Sequence, residues 1–242
     1  MSGHSHAKTV AHVKEMAAAK RGAAFSKFGR LITIAAKEGG DPTVNAKLKA
    51  VIEQAKSVNM PKENIERAIK KGTGELAGEN LEEVSYEAFG PGGIALIIEG
   101  ITDNTNRTLT EVKVILNQNN GKMAGEGAVR WMFDRKGIII VPSEGTRAQA
   151  EKDELEMLAI ECGADDISWV DDILEIHTKP EDLNSVQKAL EEKQIKIDSA
   201  SFGFIAKEEV AVSEREKEQA EKLFEILEDN DAITSVSSNM KD

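Results

Sequence analysis

Basic side chains are concentrated in the first third of this 242-residue chain, where they can neutralise phosphate groups. Residues 1–72 carry 14 Lys and Arg against 6 Asp and Glu, a net charge of +8, whereas the remainder carries −20 and the whole chain −12. Lys and Arg side chains bind nucleic acid mainly through its backbone phosphates. The residues predicted to make these contacts are Lys8, Lys14, Lys20, Arg21, Lys27, Arg30, Lys37, Lys47, Lys49, Lys70 and Lys71.

The alternative for any single lysine is that it only forms part of a solvated helix surface. A +8 segment within a −12 chain is not an average surface, which favours binding for the set. Lys27, Arg30 and Lys37 fall within roughly 80° of one another on a helical wheel. The sequence therefore predicts that reversing these three charges together weakens nucleic-acid binding and reduces its salt dependence.

A polar cluster at residues 102–108 lies between a predicted strand and a predicted helix. Asn104, Asn106 and Arg107 are candidates for a recognition loop, because their amide and guanidinium groups can face a partner. The competing interpretation is a helix N-cap formed by Thr105 or Asn106. Both interpretations remain open at the level of the sequence, and the capping interpretation is slightly favoured.

Catalytic and metal-binding patterns are missing from the sequence. It contains no G-x-x-x-x-G-K-[ST], G-x-S-x-G or H-E-x-x-H motif. His4, His6 and His12 have no Cys or carboxylate at zinc-ligand spacing, and His177 stands alone. Cys162 is expected at a helix C-terminus, where the helix dipole raises a thiol pKa. The sequence therefore predicts a protein that is not an enzyme and that has no cofactor, no metal site and no small-molecule substrate.

Helical periodicity organises the basic segment into a domain predicted to span residues 1–77. A weak helix is predicted over residues 8–20, and a second over 21–37 has Phe25 and Phe28 on its apolar stripe. A third is expected to open at residues 41–43, with Val44 in the core. A short fourth runs from Pro61 to Gly72, where Pro suits the first turn and Gly the position past the end.

The remaining chain alternates strands and helices, which predicts an α+β fold. Residues 73–83 are expected to be a linker, 94–101 a buried strand, 105–119 a helix, 129–133 a strand, 134–137 a turn and 138–141 another strand. Residues 137–205 then give β-α-β-β-α-β, and a capping box at Ser213 and Glu216 opens a helix over 214–228. The predicted architecture is an N-terminal helical bundle plus two ferredoxin-like α+β domains, 78–136 with 206–242 and an inserted 137–205.

Bulk composition predicts a cytoplasmic protein. Cys162 is the only cysteine, which fits a reducing compartment. No apolar run approaches the roughly 20 residues that span a bilayer, so no membrane partner is expected. The N-terminal residues have no apolar segment typical of a secretory signal.

Several motifs resemble those of the YebC/PmpR family. The similarity is dense from residue 1 to about 140 and stays in register to the end. The motifs are Gly3-His4-Ser5, Lys20-Arg21-Gly22, residues 39–42 (GGDP), residues 59–72 (NMPKENIERAIKKG), residues 90–93 (GPGG), Thr102-Asp103-Asn104 and Trp131-Met132-Phe133.

The resemblance implies a three-domain, non-catalytic protein of the kind described as a DNA-binding transcriptional regulator. Relatives in mitochondria act as translational activators of cytochrome oxidase. The resemblance therefore also implies an alternative, a ribosome-associated translation factor that relieves stalling at proline-rich stretches. The sequence departs from the family pattern at residues 45–49 (NAKLK), where two arginines are usual. Lysine keeps the charge but loses bidentate geometry, which favours phosphate contact over base-specific contact.

Overall fold

The computed structural model describes residues 18–78, 80–142, 149–170 and 172–241. These residues form a mixed α and β structure with seven α-helices and two four-stranded antiparallel sheets. The helices are α1 (Ala18–Ala36), α2 (Ala46–Ser57), α3 (Lys62–Gly72), α4 (Thr105–Gln118), α5 (Gln149–Glu161), α6 (Leu183–Glu192) and α7 (Glu214–Glu228). The strands are β1 (Glu82–Phe89), β2 (Ala95–Thr102), β3 (Lys122–Met123), β4 (Phe133–Val141), β5 (Asp166–Val170), β6 (Ile173–Thr178), β7 (Ser199–Ala206) and β8 (Ile233–Ser238).

Helices α1, α2 and α3 pack around one apolar cluster, and we call them the helical unit. Ile32, Leu48 and Ile65 meet at its centre. The prediction that a helix opens at residues 41–43 with Val44 inward is wrong, because α2 begins at Ala46 and Val44 is 82% exposed. Asn45 sets this start: its side-chain oxygen accepts the amide hydrogen of Leu48 at 2.9 Å, as an N-cap does.

The first sheet has the strand order β3-β1-β2-β8, and α4 and α7 pack against one of its faces. Ser213 and Glu216 form the predicted capping box at the start of α7. The expected linker over residues 73–83 runs into β1, a strand that the sequence analysis missed. The expected strand at residues 129–133 is also wrong: Arg130–Met132 is a turn of 3-10 helix.

The second sheet has the order β5-β6-β4-β7, and its strands lie between residues 133 and 206. They follow one another as β-α-β-β-α-β, with α5 and α6 packed on one face. The turn expected at residues 134–137 is wrong, because β4 runs without interruption from Phe133 to Val141. Residues 133–136 pair with β7 only, beyond the end of β6, so this part of β4 tolerates polar residues.

Each of the three parts contacts the other two. Leu31 and Ile34 of the helical unit pack with Leu81 and Ile101 at the first sheet. Phe133 and Phe204 of the second sheet pack against the first sheet. The side-chain amide of Gln54 in α2 donates a 2.9 Å hydrogen bond to the carbonyl oxygen of Ala200 in β7. None of the described helices is both long and apolar enough to cross a membrane.

Candidate nucleic-acid interface

Four residues of the predicted phosphate-binding set lie at the start of α1 or before it. Lys8 and Lys14 fall outside the described residues, and Lys20 and Arg21 lie in the first turn of α1. The structure describes the side chains of the seven remaining cations of the set.

Three of these cations, Lys27, Arg30 and Lys37, contact backbone of the acidic part of the chain. The Lys27 ammonium donates to the carbonyl oxygen of Glu228. The Arg30 guanidinium donates to the carbonyl oxygens of Asp231 at 2.7 Å and Ile101 at 3.4 Å. The Lys37 ammonium donates to the carbonyl oxygen of Leu81 at 2.7 Å. These charges hold α1 against the first sheet and α7, where they are occupied by protein acceptors.

Burial affects Lys27 in particular. Burial lowers the pKa of its ammonium, and the carboxylates of Glu228, Asp229 and Asp231 oppose that effect only in part. A charge that is desolvated between two elements is a poor phosphate ligand. The structure thus places the wheel-aligned trio of α1 in a docking contact, and we leave it out of the binding surface proposed below.

The other predicted cations are more accessible. Lys47 lies 3.1 Å from a carboxylate oxygen of Glu83, and Lys49 lies 3.8 Å from one of Glu53. Lys70 and Lys71 are exposed in the last turn of α3, where positive charge also favours the helix dipole. The described residues contain no ion-pair partner for either of these two lysines, which leaves them available to an anionic ligand.

The candidate recognition loop forms the start of α4. Asn104 is the N-cap, since its side-chain oxygen accepts the amide hydrogen of Arg107 at 3.0 Å. The Arg107 guanidinium lies 2.6 Å from Asp103 and 3.8 Å from Glu111. Capping was expected from Thr105 or Asn106, one residue or two further on. Capping therefore accounts for Asn104, and the ion pairs account for Arg107. Asn106 is exposed, and recognition of a partner by this loop stays a prediction.

A cleft of about 740 Å³ opens where the helical unit and the two sheets meet. The charged residues that line it include Lys47, Glu83, Arg130 and Arg135. Glu99 also lines it, and burial raises the pKa of this carboxyl while the Ser235 hydroxyl and the two arginines oppose the rise. The sequence analysis missed this cleft, because its walls come from segments far apart in the chain and no local motif marks them.

Two of the side chains considered for chemistry, Cys162 and His177, are described by the structure, whereas His4, His6 and His12 lie outside the described residues. Burial raises the pKa of the Cys162 thiol, and nearby Glu161 adds to this effect while Lys193 opposes it. His177 is buried, with its Nε2 atom 2.9 Å from a carboxylate oxygen of Glu175. Within the described part of the chain, no three His, Cys, Asp or Glu side chains are grouped to hold a metal ion.

Comparison with known proteins decides the family. A model described as the TACO1/YebC protein N-terminal domain matches residues 5–75, and one described as the TACO1/YebC second and third domain matches residues 81–240. The chain belongs to the TACO1/YebC family. The resemblance noted from the sequence motifs is thereby confirmed.

Relatives in the TACO1/YebC family align over the full length of this chain. Probable transcriptional regulatory proteins of Thermoanaerobacter pseudethanolicus and Caldanaerobacter subterraneus are each 46% identical, over 100% of this chain and 97% and 98% of theirs. A crystal structure of a conserved hypothetical protein from Aquifex aeolicus superposes with a TM-score of 0.86. It is 40% identical and is matched over 93% of this chain and 91% of its own.

Proposed function

We propose that this TACO1/YebC protein is a non-enzymatic, DNA-binding transcriptional regulator that contacts DNA through its helical unit. The observation that carries the proposal is the separation of charge, +8 in residues 1–72 against −20 in the remainder. A basic segment attracts phosphates, and an acidic remainder is repelled by them and turns away. The names of the relatives, which describe regulation of transcription, agree with this assignment.

The proposal assigns the parts of the chain to three domains with different tasks. Residues 1–77 bind nucleic acid, the first sheet with α4 and α7 forms a discontinuous α+β domain, and residues 133–206, which hold the four strands of the second sheet, form a ferredoxin-like domain inserted into it. Each part has an apolar cluster of its own, which supports this division. We place the protein in the cytoplasm, where DNA and ribosomes are both accessible.

Lys49, Lys70 and Lys71 are the described cations that we assign to phosphate contact, together with the predicted Lys8, Lys14, Lys20 and Arg21. Lys47 is assigned a secondary role because Glu83 already pairs with it. The assigned side chains neutralise phosphates and hold the protein on the duplex without reading bases.

The salt dependence of DNA binding tests the proposal. The double variant Lys70→Gln/Lys71→Gln should weaken binding to duplex DNA and reduce the slope of log K against log salt by about 2, since each lost phosphate contact contributes roughly 1. The matched control is Lys113→Gln/Lys222→Gln, which removes two exposed lysines from the acidic part and should leave the slope unchanged. An unchanged slope in the first variant removes α3 from the contact surface.

Co-sedimentation with ribosomes separates transcription from translation. The protein is mixed with ribosomes at physiological salt and excess duplex DNA, and the ribosomes are pelleted. Retention on the DNA, with protein-free ribosomes in the pellet, supports the regulator. Pelleting with the ribosomes despite the competitor would overturn it in favour of the ribosome-associated translation factor.

A further inference from the structure

The segment of residues 124–132, which we call the tryptophan loop, is held in place by a buried carboxylate. Glu87 is 7% exposed, and its two oxygens accept the amide hydrogens of Gly127 at 2.6 Å, Val129 at 2.7 Å and Arg130 at 2.9 Å. Burial by itself raises the pKa of this carboxyl, but the three amide bonds and the Arg130 charge outweigh it and lower the pKa. The ionised carboxylate therefore fixes the loop by charge-assisted hydrogen bonds.

Trp131 is the large apolar side chain that this loop presents to solvent. Two thirds of its surface, 66%, is exposed to solvent. Its indole nitrogen donates a 3.0 Å hydrogen bond to the carbonyl oxygen of Ala128 within the same loop. The polar group of the ring is thus satisfied within the loop, and this bond favours one ring orientation, which lowers the entropic cost of contact with a partner.

The charge around Trp131 is less negative than that of the surrounding part of the chain. Residues 73–242 carry −20, yet Arg130 and Arg135 lie within four residues of Trp131 and are exposed, against Glu126 and Asp134; nearby Lys136 is paired with Asp165. Arg130 is exposed, and its guanidinium carbon lies 4.7 Å from the ring centroid of Phe204. A fixed aromatic ring beside exposed cations is the combination by which proteins bind unpaired nucleotides.

We propose that Trp131 is a stacking platform for an unpaired base of single-stranded nucleic acid, with Arg130 contacting the adjacent phosphate. The proposal rests on the proposed function, because it takes the ligand to be nucleic acid. It adds a second contact site outside the helical unit and a preference for unpaired over paired strands. Duplex DNA keeps its bases stacked and offers none to the indole.

Two tryptophans make the site directly observable, because Trp131 and Trp169 are the only ones in the chain. The variant Trp169→Phe leaves Trp131 as the sole indole reporter. The variant Trp131→Phe leaves Trp169, whose ring is engaged by Glu156 at 2.6 Å and by the Lys152 ammonium at 4.8 Å from its centroid. Each is titrated with a 12-nucleotide DNA strand, the RNA strand of the same sequence, and the corresponding DNA duplex.

The expected result is quenching of Trp131 fluorescence by a single strand, with little effect of the duplex and no change at Trp169. The DNA and RNA arms show which sugar the site prefers. Equal quenching by duplex and single strand would overturn the proposal. So would quenching by an acidic peptide of twelve residues and not by either strand, because Trp131 would then face a protein partner.

Affinity gives the second readout, measured by the fluorescence anisotropy of a labelled strand. Trp131→Ala should weaken single-strand binding by roughly 5- to 150-fold, the range for loss of one stacked base, and Trp131→Phe should retain most of it. If strands bind equally well to Trp131→Ala and to the parent, the stacking proposal fails while the proposed function stands. If neither single nor double strands bind the parent protein, both fail.

Discussion

Glu99 is a carboxylate that the folded protein holds in an unfavourable position. It lies on β2 and lines the cleft between the helical unit and the two sheets. Burial raises the pKa of its carboxyl, and Glu83 raises it further, while the Ser235 hydroxyl, Arg135 and Arg130 act in the opposite direction. A carboxyl that binds its proton more tightly in the folded chain than in the unfolded chain opposes folding once it ionises.

The variant Glu99→Gln should therefore be more stable than the parent at pH 7, because the amide has no charge to desolvate. The gain should shrink as the pH falls toward the pKa of the folded protein, and it should vanish below the pKa of the unfolded chain, where the parent carboxyl is protonated in both states. Thermal unfolding at pH 7 and pH 4 measures this. Glu126→Gln, at an exposed position, is the control. A lower melting temperature for Glu99→Gln at pH 7 would contradict the prediction.

Helices α1 and α3 are in close contact at Gly72. A Cβ atom at this position would lie 2.3 Å from the carbonyl oxygen of Thr33 and 2.6 Å from the Cβ of Ala36. The Thr33 hydroxyl reinforces the crossing with a 3.2 Å hydrogen bond to the carbonyl oxygen of Ala68. Glycine at the end of α3 therefore serves the packing of two helices as well as the termination of one.

Gly72→Ala should destabilise the protein by about 1–3 kcal/mol, because the added methyl group forces the two helices apart. The matched control is Gly22→Ala in α1, where a Cβ meets nothing within 4 Å. Gly22→Ala should stabilise the protein by roughly 0.5–1 kcal/mol, because alanine loses less backbone entropy than glycine when it is fixed in a helix. Urea unfolding of both variants gives the two free energies of unfolding, and the prediction fails if they change in the same direction.

The sequence predicts elements well where local patterns decide them. The capping box opens α7 where expected, and the strands of the second sheet lie close to the predicted residues. Prediction from the sequence fails where contacts with distant parts of the chain decide whether a segment becomes a strand, a helix or a turn. The polar residues 134–136 are typical of a turn, yet pairing with β7 keeps them in a strand. Val44 fits the helical pattern, yet the Asn45 cap excludes it from α2.

The candidate site is predicted less completely, because a charge can bind an internal acceptor as readily as an external one. A helical wheel places Lys27, Arg30 and Lys37 together, but it contains no information on the carbonyl groups that approach them. Conversely, Trp131 was noted only as part of a motif. The loop that carries it is held by a carboxylate more than 40 residues away, which no local pattern reveals.

At the scale of the whole molecule, the cleft is lined by the helical unit and both sheets, and each of these three parts contacts the other two. The contact between the helical unit and the first sheet combines four hydrogen bonds, donated by three cations to main-chain carbonyls, with a small apolar cluster that includes Ile34 and Ile101. Ile34 is 8% exposed, so this cluster excludes water as the core does. The position of the basic surface relative to the cleft depends on this contact.

Ile34→Ala should loosen that contact at a cost of about 2–5 kcal/mol, the usual range for truncating a buried isoleucine. Hydrogen exchange should accelerate in α1, α2 and α3 and change little in the second sheet, because the loss falls at one boundary. Val114→Ala on α4 is the control, since Val114 is 47% exposed. Equal acceleration throughout the chain would show that the parts unfold as one unit and would contradict the prediction.

The docking of α1 has a consequence for how this chain can change over generations. Lys27, Arg30 and Lys37 recognise main-chain oxygens of Glu228, Asp231, Ile101 and Leu81, not the side chains of those residues. These hydrogen bonds would survive replacement of the receiving side chains as long as the backbone keeps its path, although Leu81 and Ile101 are also fixed by their packing with Leu31 and Ile34. The donating side chains have no such freedom. For the hydrogen bonds themselves, selection should therefore act on the three donating side chains more strongly than on the side chains of the receiving residues.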